Sequence, residues 1–182
     1  MNPAATRRVL GPPCPSAAVR KIRSPGPIAS SCNVGLDRQR RLPGWDYRQP
    51  GLYFVTVVSA DRLPHFGRVE EAEVRLTGAG RIVEEEWLAL PESFPNLRVD
   101  AHVVMPNHIH GILDLEEAAP GGLSEVVRRF KARTTRRINQ IRGCPGRPLW
   151  QRSFHERVVR GQGDLQRMRA YIAGKGEQIE PP

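Results

Sequence analysis

Two histidines one residue apart, His108 and His110, are the first candidates for chemistry in this chain. They follow an apolar run and a Pro106-Asn107 turn. Because residues i and i+2 of a β-strand point to the same face, the two imidazoles should project side by side while Ile109 points into a core. Such a pair can hold one divalent cation. One hydrogen-bonded core histidine beside an unrelated one is the alternative.

The second candidate is Tyr171, in a predicted C-terminal helix. It lies one position off the apolar stripe formed by Leu165, Met168 and Ile172, at the boundary of the buried face, where a phenol is held yet reachable. A phenolate can attack phosphorus and form a covalent intermediate, and a cation held by imidazoles polarises the scissile phosphate. A tyrosine that only packs at a seam between helix and sheet is the alternative.

A long basic helix is predicted over residues 123–141, with an apolar stripe that runs from Leu123 to Ile141. Its cationic side chains are predicted phosphate contacts, and an ordinary solvated helix face is the alternative. The net charge of +9 favours a polyanionic partner, although an arginine-rich composition also arises in GC-rich genomes. The predicted DNA-binding residues are Arg128, Arg129, Lys131, Arg133 and Arg136.

The surrounding pattern predicts the elements that position these residues. We expect strands at 52–59, 97–105, 108–115 and 154–160, a hairpin at 66–76, a helix at 77–90 that Pro91 stops, and a last helix with Asp164 as its N-cap. The order β-α-β-β-α-β predicts an α+β fold, a ferredoxin-like antiparallel sheet with two helices on one face and an added C-terminal helix. The first and third strands are then central, so the histidine pair lies on a rigid sheet.

The remaining segments predict the domain organisation. Residues 1–40 are rich in proline and arginine and predict a disordered basic tail, 41–176 form the single domain, and 177–182 are a second tail. No apolar run reaches the roughly 18 to 20 residues that span a membrane, so no membrane partner is expected. The three cysteines contain no C-x-x-C pair, and a reducing cytoplasm is the expected compartment.

Several motifs in this order resemble the IS200-like tyrosine transposases that carry a His-hydrophobe-His motif, in particular the REP-associated tyrosine transposases. The resemblance covers roughly residues 40–175. The motifs are Leu42-Pro43-Gly44-Trp45-Asp46-Tyr47, Tyr53-Phe54-Val55-Thr56, Pro106-Asn107-His108-Ile109-His110-Gly111, Phe130-Lys131, Trp150-Gln151-Arg152, Glu156 and Tyr171-Ile172.

The resemblance implies a transposase that cleaves and rejoins single-stranded DNA, often beside a hairpin. By motif position, His108 and His110 correspond to the metal-binding pair, and Tyr171 to the nucleophile that becomes linked to a 5′-phosphate. The implied metal is Mg²⁺ or Mn²⁺, and DNA phosphate oxygens and waters could complete an oxygen-rich shell. A homodimer and a monomer both remain open.

Two positions depart from the family pattern. Relatives usually continue Tyr-Ile-x-x-Asn-Pro, whereas this chain has Lys175, whose ammonium cannot ligate a cation. The third ligand would then be water, Glu177 or Gln178, or absent. Arg157 stands where relatives commonly have histidine. These departures keep open a second hypothesis, a degenerate protein that binds DNA hairpins without cutting. An RNA-binding domain has the same element order, but the first and third strands lack the expected aromatic pattern.

Overall fold

The chain folds around a four-stranded antiparallel sheet in the computed structural model, which describes residues 44–70, 73–118 and 121–174. The predicted tail 1–40, the domain limits at 41 and 176, and Lys175, Glu177 and Gln178 lie outside these residues. The elements in chain order are β1 Gly51–Val58, β2 Gly67–Glu70, β3 Glu73–Leu76, α1 Gly78–Leu88, α2 Leu90–Ser93, β4 Leu97–Met105, β5 His108–Leu115, α3 Gly122–Arg142, β6 His155–Val158 and α4 Gly161–Gly174.

The strand order β4-β5-β1-β6, with all neighbours antiparallel, confirms the predicted ferredoxin-like arrangement. Strands β1 and β5 are central because each has a hydrogen-bonded neighbour on both sides. Their register places Thr56 opposite His110. The small β2–β3 hairpin forms a separate two-stranded sheet. In the described part of the chain, no helix is long and apolar enough to cross a membrane.

The two faces of the sheet carry different layers. Helices α1 and α3 cover one face, where Tyr53, Val55, Val57, Ile109 and Leu113 are fully buried. Helix α4 covers the other face. Its stripe of Leu165, Met168 and Ile172 packs on Ile112 and Val159, together with Leu52, Phe54, Ala101 and Val103. The alternation of side chains along a strand produces this separation, so the odd and even positions of β1 and β5 face different helices.

Gly111 permits a close approach between the sheet and α1. A Cβ atom at this position would lie 2.4 Å from Cζ2 of Trp87, whose side chain is fully buried. The glycine that follows the histidine pair therefore leaves room for the largest aromatic side chain of the core. The tryptophan supports the strand from the face opposite the histidines.

Helix α1 ends at Leu88, before Pro91 as predicted, but Pro91 then lies in the first turn of the short helix α2, where proline is tolerated because the first N–H groups need no intrahelical partner. Two other predicted details of the elements were wrong. Ile141 lies outside the buried stripe of α3 and is 54% exposed. Asp164 is not an N-cap. It lies inside the first turn of α4, and its Oδ2 accepts the backbone N–H of Arg160, which precedes the helix.

Candidate active site

The histidine pair begins the central strand β5, immediately after the turn at residues 106–107. His110 is buried at 7% exposure, whereas His108 is half-buried. Their rings lie 4.5 Å apart at an interplanar angle of 77°, and the two Nε2 atoms face each other at 3.0 Å. The strand therefore brings two imidazole nitrogens to one point on the α4 face of the sheet.

Asn107 sets the orientation of His108. The Asn107 side-chain amide donates through Nδ2 to the backbone carbonyl of Arg62, at 2.9 Å, so its Oδ1 faces Nδ1 of His108, at 2.6 Å. An amide oxygen can only accept, so Nδ1 of His108 carries the hydrogen. In the neutral ring, Nε2 then presents a lone pair toward His110.

Thr56 contacts the second ring from the neighbouring strand. Its Oγ1 lies 2.8 Å from Nδ1 of His110 in a buried environment. A hydroxyl can donate or accept, so it suits both neutral tautomers of His110. In one, the hydroxyl donates to Nδ1 and the Nε2–H points at His108. In the other, Nδ1–H donates to the hydroxyl and both Nε2 lone pairs face each other, which is the arrangement a cation needs.

Tyr171 lies beside the histidines, on the last turns of α4. Its ring centroid is 5.4 Å from that of His110 at an interplanar angle of 68°. Phe54 from β1 stacks on His110 at 5.4 Å and meets the edge of Tyr171 at 6.1 Å. The structure therefore brings His108, His110 and Tyr171 together, and Phe54 packs against two of the three.

Helix α4 is fixed by polar contacts as well as by its apolar stripe. Arg169 forms a bidentate pair with Asp100 of β4, at 2.7 and 2.8 Å. The hydrogen bond from the Arg160 backbone holds the pKa of Asp164 below its usual value, and Arg157 and Arg167 act in the same direction. Arg157, the departure from the family pattern, thus pairs with a carboxylate at the start of the helix that carries Tyr171.

The spacing of the two Nε2 atoms suits a six-coordinate cation. Ligand atoms about 2.1 Å from such an ion lie about 3.0 Å apart along an octahedron edge. Among the described residues, no group of three or more His, Cys, Asp or Glu side chains could hold a metal. Within these residues the two imidazoles therefore form an incomplete ligand set, which waters or phosphate oxygens could complete.

The predicted phosphate contacts lie on α3, against the face of the sheet opposite the histidines. Arg128 pairs with Glu125 of its own helix, Arg133 pairs with Glu86 of α1, and the Arg129 guanidinium lies 5.0 Å from the Phe94 ring centroid. Within the described ranges, Arg129 and Arg136 form no ion pair with a carboxylate. None of these side chains joins the histidine and tyrosine cluster.

Lys131 is held inside the chain. Its Nζ donates to the backbone carbonyls of Gln151, Arg152 and Ser153, at 3.0, 3.3 and 2.9 Å. Burial lowers its pKa to about 8, and the buried carboxylate of Glu156 opposes that shift. In the register of β1 and β6, Glu156 lies directly opposite Val55, so the two side chains share one face of the sheet. Glu156 therefore faces α3 rather than the histidines.

Reasoning from the sequence missed the roles of Thr56 and Asn107 around the histidines. One signal was available for Thr56, because it is the only non-aromatic polar side chain between Leu52 and Val58. Asn107 was recognised only as a turn residue. Its contact with Arg62 depends on a loop 45 residues away in sequence.

Comparisons with known proteins identify the family. The sequence model described as IS200-like transposase matches residues 94–175, which include both histidines and Tyr171. An uncharacterised protein of Haemophilus influenzae is 30% identical, and the match covers 80% of this chain and 92% of that protein. The chain belongs to the IS200-like transposase family.

Two solved structures are similar in fold. One is a REP-associated tyrosine transposase bound to a REP hairpin, with a TM-score of 0.55, 23% identity and coverage of 74% of this chain and 72% of that chain. The other is a candidate transposase from Deinococcus radiodurans, with a TM-score of 0.44, 19% identity and coverage of 75% and 97%. The first agrees with the sheet and helix arrangement described above.

Proposed function

We propose that this chain cleaves and rejoins single-stranded DNA next to hairpins, through a covalent 5′-phosphotyrosine intermediate at Tyr171 and with a divalent cation. One observation carries the proposal. The Tyr171 ring lies 5.4 Å from His110, whose Nε2 is 3.0 Å from that of His108. A nucleophile and two metal-ligating atoms therefore share one face of a rigid sheet.

His108 and His110 would hold Mg²⁺ or Mn²⁺ through their Nε2 atoms. When bound, the cation polarises the scissile phosphate and neutralises the charge that develops on it. Asn107 keeps the Nε2 lone pair of His108 exposed to this position. The Thr56 hydroxyl accepts the Nδ1 hydrogen of His110, so the Nε2 lone pair of His110 is available to the cation as well.

Tyr171 supplies the nucleophile. Its phenolate oxygen attacks phosphorus and forms an ester with the 5′-phosphate, while the bond to the 3′ oxygen breaks and that oxygen leaves as a hydroxyl after taking a proton. A 3′ hydroxyl from another strand can attack the phosphotyrosine, form a new phosphodiester and release the phenol. Each step exchanges one phosphoester for another, so rejoining needs no ATP.

A DNA hairpin is the proposed partner for two reasons. The similar solved transposase is bound to a REP hairpin in its structure. The net charge of +9 favours association with a polyanion.

The test is a cleavage assay on single-stranded DNA that carries a hairpin, with Mg²⁺, Mn²⁺ or EDTA. We expect a covalent protein–DNA adduct on a denaturing gel that requires metal. Tyr171→Phe should abolish the adduct but leave hairpin binding unchanged, and His110→Ala should abolish it by removing a metal ligand. An adduct that persists in Tyr171→Phe would refute the assignment of the nucleophile.

A second function, hairpin binding without cleavage, is favoured by one observation. Within the described ranges the histidine pair has no third His, Cys, Asp or Glu side chain positioned to complete a metal site. In that case the parent protein would bind hairpins with a strong dependence on salt and form no adduct under any metal. The same gel assay therefore separates the two functions.

A further inference from the structure

A cationic groove lies on the α3 side of the sheet, away from the histidines and Tyr171. It has a volume of about 820 Å³ and runs between the C-terminal half of α3 and residues 143–152. Four of the residues that line it are cationic and none is acidic, in a chain that has 19 acidic residues. The cationic ones are Lys131, Arg136, Arg147 and Arg152.

Helix α3 distributes its positive charge unevenly. Its arginines that face α1 are neutralised by two carboxylates of that helix, because Arg133 pairs with Glu86 and Arg137 pairs with both Glu85 and Glu86. On the groove side, the exposed Arg136 and Arg152 have no carboxylate partner within the described ranges, and Arg147 is exposed too. The groove therefore combines a positive field with access from solvent.

The walls of the groove are held in place by contacts below the surface. The three hydrogen bonds that Lys131 donates to backbone carbonyls hold residues 151–153 in place. At the other end, Asn139 donates to the carbonyl of Arg147 at 2.7 Å. The floor is the buried Trp150, whose Nε1 donates to Thr134 at 2.8 Å. A ligand would meet a surface that is already ordered, which lowers the entropic cost of binding.

We propose that this groove binds the sugar–phosphate backbone of DNA through Arg136, Arg147 and Arg152, as a second contact surface separate from the site of cleavage. The assignment deepens the proposed function and rests on its DNA partner. Guanidinium groups match phosphate oxygens with paired hydrogen bonds. The only aromatic side chain in the lining is buried Trp150, so the contact depends on phosphates rather than on base stacking.

Two matched triple variants test the proposal. The groove variant is Arg136→Ala, Arg147→Ala and Arg152→Ala. The control variant is Arg68→Ala, Arg75→Ala and Arg81→Ala, which removes three exposed arginines elsewhere and the same net charge. Binding of a labelled hairpin oligonucleotide is measured in EDTA between 50 and 200 mM salt, on full chains with comparable thermal unfolding midpoints.

For three lost phosphate contacts, the slope of log affinity against log salt should fall by about 2.7 in the groove variant. The parent then loses about 40-fold more affinity than the groove variant across this salt range. The control should keep the slope of the parent. Equal slopes in the parent and the groove variant would overturn the proposal, as would an equal loss of slope in the control. If the triple variant does not fold, Arg136→Gln alone should lower the slope by about one, and an unchanged slope overturns the proposal.

Two further outcomes separate this proposal from the proposed function. If the parent forms no phosphotyrosine adduct but the groove variant loses slope, the groove assignment stands and the cleavage mechanism fails. If the parent forms the adduct and the groove variant keeps its slope, only the groove assignment fails. The same titration with an RNA hairpin of matched sequence tests the choice of nucleic acid. If the groove variant loses more slope with RNA than with DNA, that choice is overturned.

Discussion

Thr56→Val should weaken Mn²⁺ binding because valine keeps the shape of threonine and removes the hydroxyl beside His110. The lost contact is a 2.8 Å hydrogen bond, and Thr56 is only 7% exposed. A buried donor or acceptor left without a partner costs about 1–3 kcal/mol. Loss of a hydrogen bond behind a metal-ligating histidine lowers metal affinity by about 10- to 100-fold, equivalent to about 1.4–2.7 kcal/mol. The two magnitudes agree, so we expect a dissociation constant at least tenfold higher.

The assay follows free Mn²⁺ by electron paramagnetic resonance during a titration of the full chain with saturating hairpin DNA. All proteins carry Tyr171→Phe, so that no cleavage occurs. Thr56→Ser is the matched control, because it keeps the hydroxyl and should stay within about threefold of the parent, well short of the tenfold loss. His110→Ala should bind Mn²⁺ much more weakly than either.

One result would refute the reasoning about Thr56. If Thr56→Val binds Mn²⁺ as the parent does while His110→Ala does not, the hydroxyl has no part in presenting the ring. If Thr56→Ser loses as much affinity as Thr56→Val, the effect comes from packing on the strand instead. If neither Thr56→Val nor His110→Ala weakens Mn²⁺ binding, the metal binds elsewhere and the proposed function is contradicted.

Three other changes have defined outcomes. Gly111→Ala should lower the free energy of unfolding by about 1–3 kcal/mol, measured by denaturant titration, because the new methyl group meets Trp87 at 2.4 Å. Asp164→Asn should cost about 1–2 kcal/mol at pH 7. That difference should shrink as the pH falls, because the pKa of Asp164 in the folded chain lies below its ordinary value of 3.8. The contribution of its carboxylate is complete above that ordinary value and is lost as the pH falls from it through the lower folded-state pKa. Arg169→Gln should change the free energy of unfolding only slightly, because its pair with Asp100 is partly exposed and screened by solvent.

Each of these three expectations has a contradicting result. Unchanged stability of Gly111→Ala would mean that Trp87 can move without cost. A stability difference for Asp164→Asn that grows in acid would reverse the sign of the linkage. A loss of several kcal/mol for Arg169→Gln, with adduct formation abolished, would make its ion pair with Asp100 the main attachment of α4.

The sequence predicted the sheet well because the signals are local. The turn at Pro106-Asn107 and the alternation after it define β5 within a few residues, and the spacing of Leu165, Met168 and Ile172 places Tyr171 at the edge of α4. The contact between Thr56 and His110 was not predictable in the same way, since it joins residues 54 apart in sequence. It depends on the register of two strands, which turn chemistry and periodicity do not specify.

The basic helix illustrates the same limit. Its charges were visible in the sequence, but their partners depend on how α3 crosses α1. Arg133 and Arg137 find the carboxylate of Glu86 on the neighbouring helix, whereas Arg136 faces the groove. Three arginines within five positions of one helix therefore have different environments, and composition alone could not separate them.

The alternation of β5 also constrains how this protein can vary. His108 and His110 face α4 while Ile109 and Gly111 face α1 and α3, so loss of one residue after the turn would exchange these sets. Imidazoles would then enter the aliphatic core, and a side chain in place of Gly111 would clash with Trp87. A substitution in this strand changes one side chain, whereas a change of length moves all the side chains beyond it to the opposite face of the sheet. Variation in chain length should therefore be confined to the connections, such as residues 59–66, and be absent between His108 and Leu115.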